Sequence, residues 1–149
     1  MAIKVWVGAA IGGPLQCDPM LLIQRSKTID PRYPSEVQEK LVGGMYDPQR
    51  DENLFDTLNR EVFEETDLKI RNGKELKIIH SQILGEVHKI LYFVPFEYLV
   101  GIIRQKSKPD GNTMLEELHW ETLDVVYRII HPTQANLLEK AEKEMLIRY

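Results

Sequence analysis

Residues Lys40 to Leu68, KLVGGMYDPQRDENLFDTLNREVFEETDL, constrain the fold more than any other stretch: a short apolar run, a glycine pair, a polar loop, then a helix loaded with carboxylates. No Gly or Pro interrupts residues 52–66, Asp51 or Asn53 can serve as N-cap, and Asp56 follows Asn53 at capping-box spacing. At roughly 100° per residue, Leu54, Phe55, Leu58 and Val62 fall within one arc, the face that packs on a core. Glu61, Glu64 and Glu65 are spaced i, i+3, i+4 and share one side of the helix, with Glu65 at the edge of the apolar arc. Like charges so placed repel by roughly 0.2–0.5 kcal/mol per pair, and by more where one is half buried. Arg60 can neutralise one of the three carboxylates, not all. Clustered carboxylate oxygens suit hard divalent cations such as Mg²⁺ or Mn²⁺, which bind carboxylates together with a substrate phosphate. A solvated acidic face is the ordinary meaning of a Glu-Glu pair on a helix. The glycine pair upstream argues for chemistry instead.

These residues resemble the signature of the Nudix hydrolase family (MutT-related), G-x5-E-x7-R-E-U-x-E-E-x-G-U, where U is a bulky aliphatic. Glu52 is followed after seven residues by Arg60, Arg60-Glu61-Val62-Phe63-Glu64-Glu65-Thr66 matches in order, and Leu68 takes the final aliphatic place. Two departures stand out. Seven residues rather than five separate Gly44 from Glu52, and Asp67 occupies the usual glycine position. A surface-loop insertion costs little closure entropy. Asp tolerates the left-handed conformation expected at the end of the helix better than most residues, at roughly 1 kcal/mol.

The resemblance implies an α+β fold, an α/β/α sandwich with a mixed sheet carrying the motif helix and a C-terminal helix. It also implies metal-dependent hydrolysis of a nucleoside diphosphate linked to another moiety. Mg²⁺ or Mn²⁺ would be held by Glu61, Glu64, Glu65 and the carbonyl of Gly43, while Arg60 orients the glutamates and Gly44 and Glu52 support the loop and helix. Acidic residues before a tryptophan recur later in the family, and here they are Glu116 and Glu117, in LEELHWE. Glu61, Glu116 and Glu117 are all candidates for the base that activates water. If residues 115–121 form a strand, 116 and 117 point to opposite faces, and Glu117 is expected at the metal with Glu116 reading the substrate base. The compact chain looks most like a (d)NTP-type pyrophosphatase. ADP-ribose or ADP-sugar hydrolysis, dinucleoside polyphosphate hydrolysis and a non-catalytic nucleotide-binding domain are the alternatives.

At 149 residues with 43% hydrophobic residues, the chain reads as one domain over 1–149. A net charge of −4 argues against a surface that tracks long nucleic acid, so the expected partner is a small nucleotide, the protein being a monomer or homodimer. Cys17 is alone, which excludes an internal disulfide and suggests a reducing, cytoplasmic setting. No apolar run approaches the roughly 20 residues of a membrane helix.

Ile3 to Ile11 and Met20 to Gln24 read as strands. Ser26 to Ser35 reads as a loop, with Arg25, Lys27, Arg32 and Tyr33 as candidate substrate contacts. Lys40 to Met45 and Leu76 to Leu84 read as strands, and His88 to Arg104 as one long or bent strand reshaped near Pro95. His80 and His88 lack companions at metal-ligand spacing. A polar loop follows, with Pro109-Asp110-Gly111 as a turn, and then a final helix from Pro132 to Arg148 packs through Leu137, Leu138, Ala141, Met145 and Leu146.

Overall fold

The computed structural model describes residues 4–13, 20–29, 31–32, 36–71, 73–104, 108–110 and 113–148. Cys17 and Tyr33 lie outside them. In chain order the elements are β1 (Lys4–Gly12), β2 (Met20–Thr28), β3 (Val37–Met45), α1 (Leu54–Thr66), β4 (Lys69–Ile70), β5 (Lys77–Leu84), β6 (Val87–Pro95), β7 (Leu99–Val100), β8 (Lys108–Asp110), β9 (Thr113–Thr122), α2 (Leu123–Ile129) and α3 (Pro132–Arg148).

Seven strands form one mixed sheet in the order β5-β6-β1-β3-β2-β9-β8, in which β1 and β6 run parallel and the other neighbours antiparallel. Both faces are covered, which is why the central strands are apolar on both sides rather than alternating with polar residues. On one face Val7, Ala9, Ile11, Leu22 and Val42 pack against Leu58 and Val62 of α1. On the other, Ala10, Leu21, Ile23 and Leu41 meet Val126 of α2 and Leu137, Leu138 and Ala141 of α3. Leu58 and Val62 are fully buried, each worth about 1.5–3 kcal/mol of transfer from water. The apolar arc of α1 thus docks the helix on the sheet and leaves its glutamates toward the glycine end of β3. The result is the α+β, α/β/α arrangement expected.

Several elements differ from the sequence reading. β2 runs on to Thr28 because Ser26 and Lys27 pair with Gln38 and Val37 of β3, so this part of the expected loop is sheet. The strand expected from His88 to Arg104 ends at Pro95, which cannot donate to a ladder. A 3₁₀ turn over Phe96–Tyr98 follows, and β7 pairs with β4 in a separate two-stranded sheet. Lys108–Asp110 forms a short strand against β9 rather than loop. The sequence reading assigns no element to α2, although Leu123, Val126, Tyr127 and Ile130 stand at i, i+3, i+4 and i+7.

At the N-terminus of α1, the Asn53 side chain accepts from the Asp56 backbone N–H, so Asn53 and not Asp51 is the cap. At its end Asp67 adopts φ 69°, ψ 9°, and its N–H donates to the Phe63 carbonyl at 2.9 Å. That is the left-handed cap expected. Asp67→Gly relieves roughly 1 kcal/mol of backbone strain but adds about 0.4–1 kcal/mol of unfolded-chain entropy. The two nearly cancel, and chemical denaturation of the variant should show a stability almost unchanged. A loss of several kcal/mol would show that the Asp67 carboxylate, 3.6 Å from the Arg104 guanidinium, anchors the helix end.

Candidate active site

β3 approaches α1 without side chains in the way. A Cβ at Gly43 would lie 2.5 Å from the Val7 carbonyl oxygen and 2.7 Å from Gly8 Cα, so only glycine lets β3 pass β1 so closely here. A Cβ at Gly44 would collide with the Glu61 carboxylate, which therefore rests directly on the β3 backbone. Gly43, Gly44 and Glu61 line a cleft of about 510 Å³, a volume suited to a small-molecule ligand.

Arg60 organises the carboxylates. Its Nε and Nη2 donate to the two oxygens of Asp51 at 2.9 and 2.8 Å, a bidentate fork, and Nη1 donates to Glu61 at 2.7 Å and stands 3.7 Å from Glu64. Nη2 also reaches the Met45 carbonyl at 3.1 Å, tying α1 to the end of β3. The Asp51 side chain is 1% exposed and accepts further hydrogen bonds from the Thr57 hydroxyl and the Asp47 N–H. The Arg60 hydrogen bonds outweigh burial and hold the Asp51 carboxyl well below the usual carboxylate range. In turn Asp51, with Glu61, raises the Arg60 pKa against the opposing effect of burial. Glu65 is buried and Glu64 half-buried.

This corrects the place given to Glu52. Its side chain is exposed, and its backbone N–H donates to Asp56. Asp51, one residue earlier, makes the contact with Arg60. The cause lies in the longer loop: the Asp51 N–H donates to the Asp47 carbonyl at 2.8 Å, and the turn so closed swings the Asp51 carboxylate beneath the helix. Counting seven residues back from Arg60 finds a carboxylate, but not the buried one.

Arg25, Lys27, Glu116 and Glu117 do not join the cleft lining with Glu61. Arg25 shares the sheet face of Ile23 and Leu41, the face covered by α2 and α3 and opposite α1. Its Nε donates to Glu39 and its Nη1 to Glu117, both at 2.8 Å. The alternation argument for 116 and 117 fails at a bulge: Gln24 pairs with Leu118 and Ser26 with Leu115, so both glutamates oppose Arg25. Both act with Glu39 to favour its charge. Lys27 is exposed near the end of β2. Sequence reading also passed over Lys40, Arg50, Trp6 and Tyr46, all of which line the cleft. The place of Lys40 three residues before Gly43 and the length of the loop after the glycines were the available signals for Lys40 and Arg50.

The same face holds His119, whose Nε2 lies 2.9 Å from Glu39 and Nδ1 3.0 Å from Glu121. Burial opposes its charge, but the two carboxylates prevail and its pKa is raised. Both nitrogens can donate only in the imidazolium. The stabilisation is therefore complete below about pH 6.5, the unfolded value, and is lost as pH rises through the folded pKa. Thermal denaturation from about pH 6 to about pH 8 should show the native protein losing stability faster than His119→Gln. Parallel slopes would remove His119 as the titrating group.

Carboxylates and a glycine carbonyl form a donor set suited to Mg²⁺ or Mn²⁺, and the space over Gly44 that a Cβ would fill is the cradle where Glu61 meets the cleft. The residues fit such an ion in the chemistry of their donors, although among the described residues no three His, Cys, Asp or Glu side chains converge on one point. Arg60 draws Glu61 and Glu64 to itself instead. Neither His80 nor His88 belongs to such a group.

The model of the NUDIX domain family matches residues 7–143. No curated protein matches the chain significantly in sequence. Among solved structures, the E. coli ORF135 protein is similar with TM-score 0.65 and 18% identity, covering 94% of this chain and 89% of its own. The NUDIX domain of Shewanella oneidensis NrtR, complexed with ADP ribose, has TM-score 0.64 and 16% identity over 97% and 90%. The MutT NUDIX hydrolase of Burkholderia pseudomallei has TM-score 0.64 and 22% identity over 92% and 96%. At these identities the likeness is one of fold. No helix among the described residues is long and apolar enough to cross a membrane.

Proposed function

Because the chain belongs to the NUDIX family of phosphoric anhydride hydrolases, we propose that it cleaves a nucleoside diphosphate linked to another moiety, with (d)NTP-type nucleotides as substrates. The observation that carries this reading is the Glu61 carboxylate seated on Gly44 at the wall of the cleft and oriented by the Asp51–Arg60 pair. Glu61, Glu64, Glu65 and the Gly43 carbonyl would hold Mg²⁺ or Mn²⁺. The bound ion supplies charge neutralisation for the diphosphate and lowers the pKa of water.

The remaining work falls to the chain. Of the three candidates for the base, Glu61 alone lines this cleft among the described residues, and it takes the proton of the attacking water. Oxygen bonds to phosphorus, the anhydride P–O bond breaks, and the bridging oxygen leaves with the departing phosphoryl group. Arg60 keeps Glu61 in place from beneath and touches no substrate. Trp6 and Tyr46 in the lining offer aromatic surface for a base, and Lys40 adds positive charge for phosphate. The cleft volume falls within the range of small-molecule sites.

The reading is tested with a panel of (d)NTPs, ADP-ribose, ADP-sugars and dinucleoside polyphosphates, with Mg²⁺ or Mn²⁺, resolving products by chromatography. ADP-ribose belongs in it because a protein of the same fold is complexed with that ligand. Nucleoside monophosphate and pyrophosphate from (d)NTPs are expected. Turnover confined to ADP-ribose, ADP-sugars or dinucleoside polyphosphates overturns the substrate assignment, and tight binding without turnover of any member overturns hydrolysis.

A further inference from the structure

The loop that lengthens the motif carries a guanidinium into the cleft. It is closed on itself: Asp47 Oδ1 accepts from the Gln49 N–H at 2.9 Å, the Asp47 carbonyl from the N–H groups of Arg50 and Asp51 at 3.0 and 2.8 Å, and Asp51 from the Asp47 N–H at 3.0 Å. Asp47 also holds Arg50 Nε at 2.8 Å, which aims the rest of the guanidinium. Arg50 Nη1 stands 3.4 Å from Glu64 Oε1, and the side chain lines the same cleft as Gly44 and Glu61 while 56% exposed.

We propose that Arg50 binds substrate phosphate and does so by exchanging partners: it holds Glu64 in the metal-free protein and passes to the phosphate when a divalent metal takes Glu64. The inference rests on the metal-site reading above. Three physical points support it. A long, exposed ion pair is weak, so a divalent cation displaces it readily. Because Asp47 keeps Nε in place, little side-chain freedom is lost when the phosphate arrives. The planar fork still has donors to offer after Asp47 is satisfied, and phosphate oxygens accept them well. The loop insertion, otherwise a neutral lengthening, becomes the scaffold for a substrate contact.

The test uses the intact protein with Arg50→Gln and Arg50→Lys. Mn²⁺ alone is titrated first, by electron paramagnetic resonance, and inorganic pyrophosphate is then titrated with Mn²⁺ present, by calorimetry. Arg50→Gln should bind Mn²⁺ about 2–5-fold tighter, since a competitor for Glu64 is gone. It should bind pyrophosphate about tenfold more weakly, with Arg50→Lys recovering part of that loss. Unchanged Mn²⁺ affinity overturns the exchange, and unchanged pyrophosphate affinity overturns the phosphate contact. Neither titration needs turnover, so these outcomes stay separate from whether the substrate panel is hydrolysed.

Discussion

Asp51→Asn is expected to cost about 3 kcal/mol of stability and much of the activity, whereas Glu52→Gln costs neither. The low end of the range for a broken buried pair applies because Glu61 remains 2.7 Å from Arg60 and keeps part of its charge compensated. The amide keeps the shape of Asp51 but turns one of its two accepting oxygens into an NH₂ donor, so the charge and at least one accepted hydrogen bond are lost together. Arg60 then has Glu61 and Glu64 as its remaining carboxylate partners among its described contacts, which pulls both farther from the cleft. Because its carboxyl pKa is depressed, the contribution of Asp51 is present above about pH 3.9 and is lost only as pH falls toward the folded value. Urea denaturation at neutral pH measures the difference. A Glu52→Gln protein as unstable as Asp51→Asn would mean that the exposed glutamate supports the helix after all.

The largest expected effect on chemistry is at the helix carboxylates. Glu61→Gln removes the proposed base and a proposed metal ligand together, and turnover should fall by at least about 10²-fold with the fold intact. Glu65→Gln should lose about as much through weaker metal binding. Its stability should hold or rise slightly, since a buried carboxylate beside two others is replaced by a neutral amide. Turnover with saturating Mg²⁺ and the affinity for Mn²⁺ without substrate are both read. A folded Glu65→Gln protein with native Mn²⁺ affinity would remove Glu65 from the metal site, and native turnover in Glu61→Gln would return the base to be found elsewhere.

Local chemistry was legible wherever one element carried it. The spacing of Leu54, Leu58 and Val62 against Glu61, Glu64 and Glu65 is a property of a single helix, so the face that packs and the face that carries carboxylates followed from 3.6-residue geometry. Asp67 as a left-handed cap followed from the resemblance, whose signature has glycine at the position where this helix ends. The packing face of α3 was readable for the same reason at Leu137, Leu138 and Ala141, while Met145 and Leu146 lie outside the described side chains.

What only the tertiary structure decided involves residues whose partners are distant in the chain or whose register depends on a neighbour. The swap of Asp51 for Glu52 depends on how an eight-residue loop folds on Asp47, and both residues are acidic, so composition could not separate them. Arg25 looked like a substrate contact because it borders a segment that lies just before the glycine pair in the chain. Its partners Glu39 and Glu117 come from two other strands, and pairing across the sheet turned it toward α2 and α3. One bulge opposite Arg25 put Glu116 and Glu117 together, cancelling an alternation that held only for an unbroken ladder. The sequence by itself determined a carboxylate helix behind a glycine pair, because helical period and glycine's missing side chain are local facts. The third dimension determined which carboxylates surround Arg60 and which cations reach the cleft, because strand register and loop closure are settled by contacts that no local window contains.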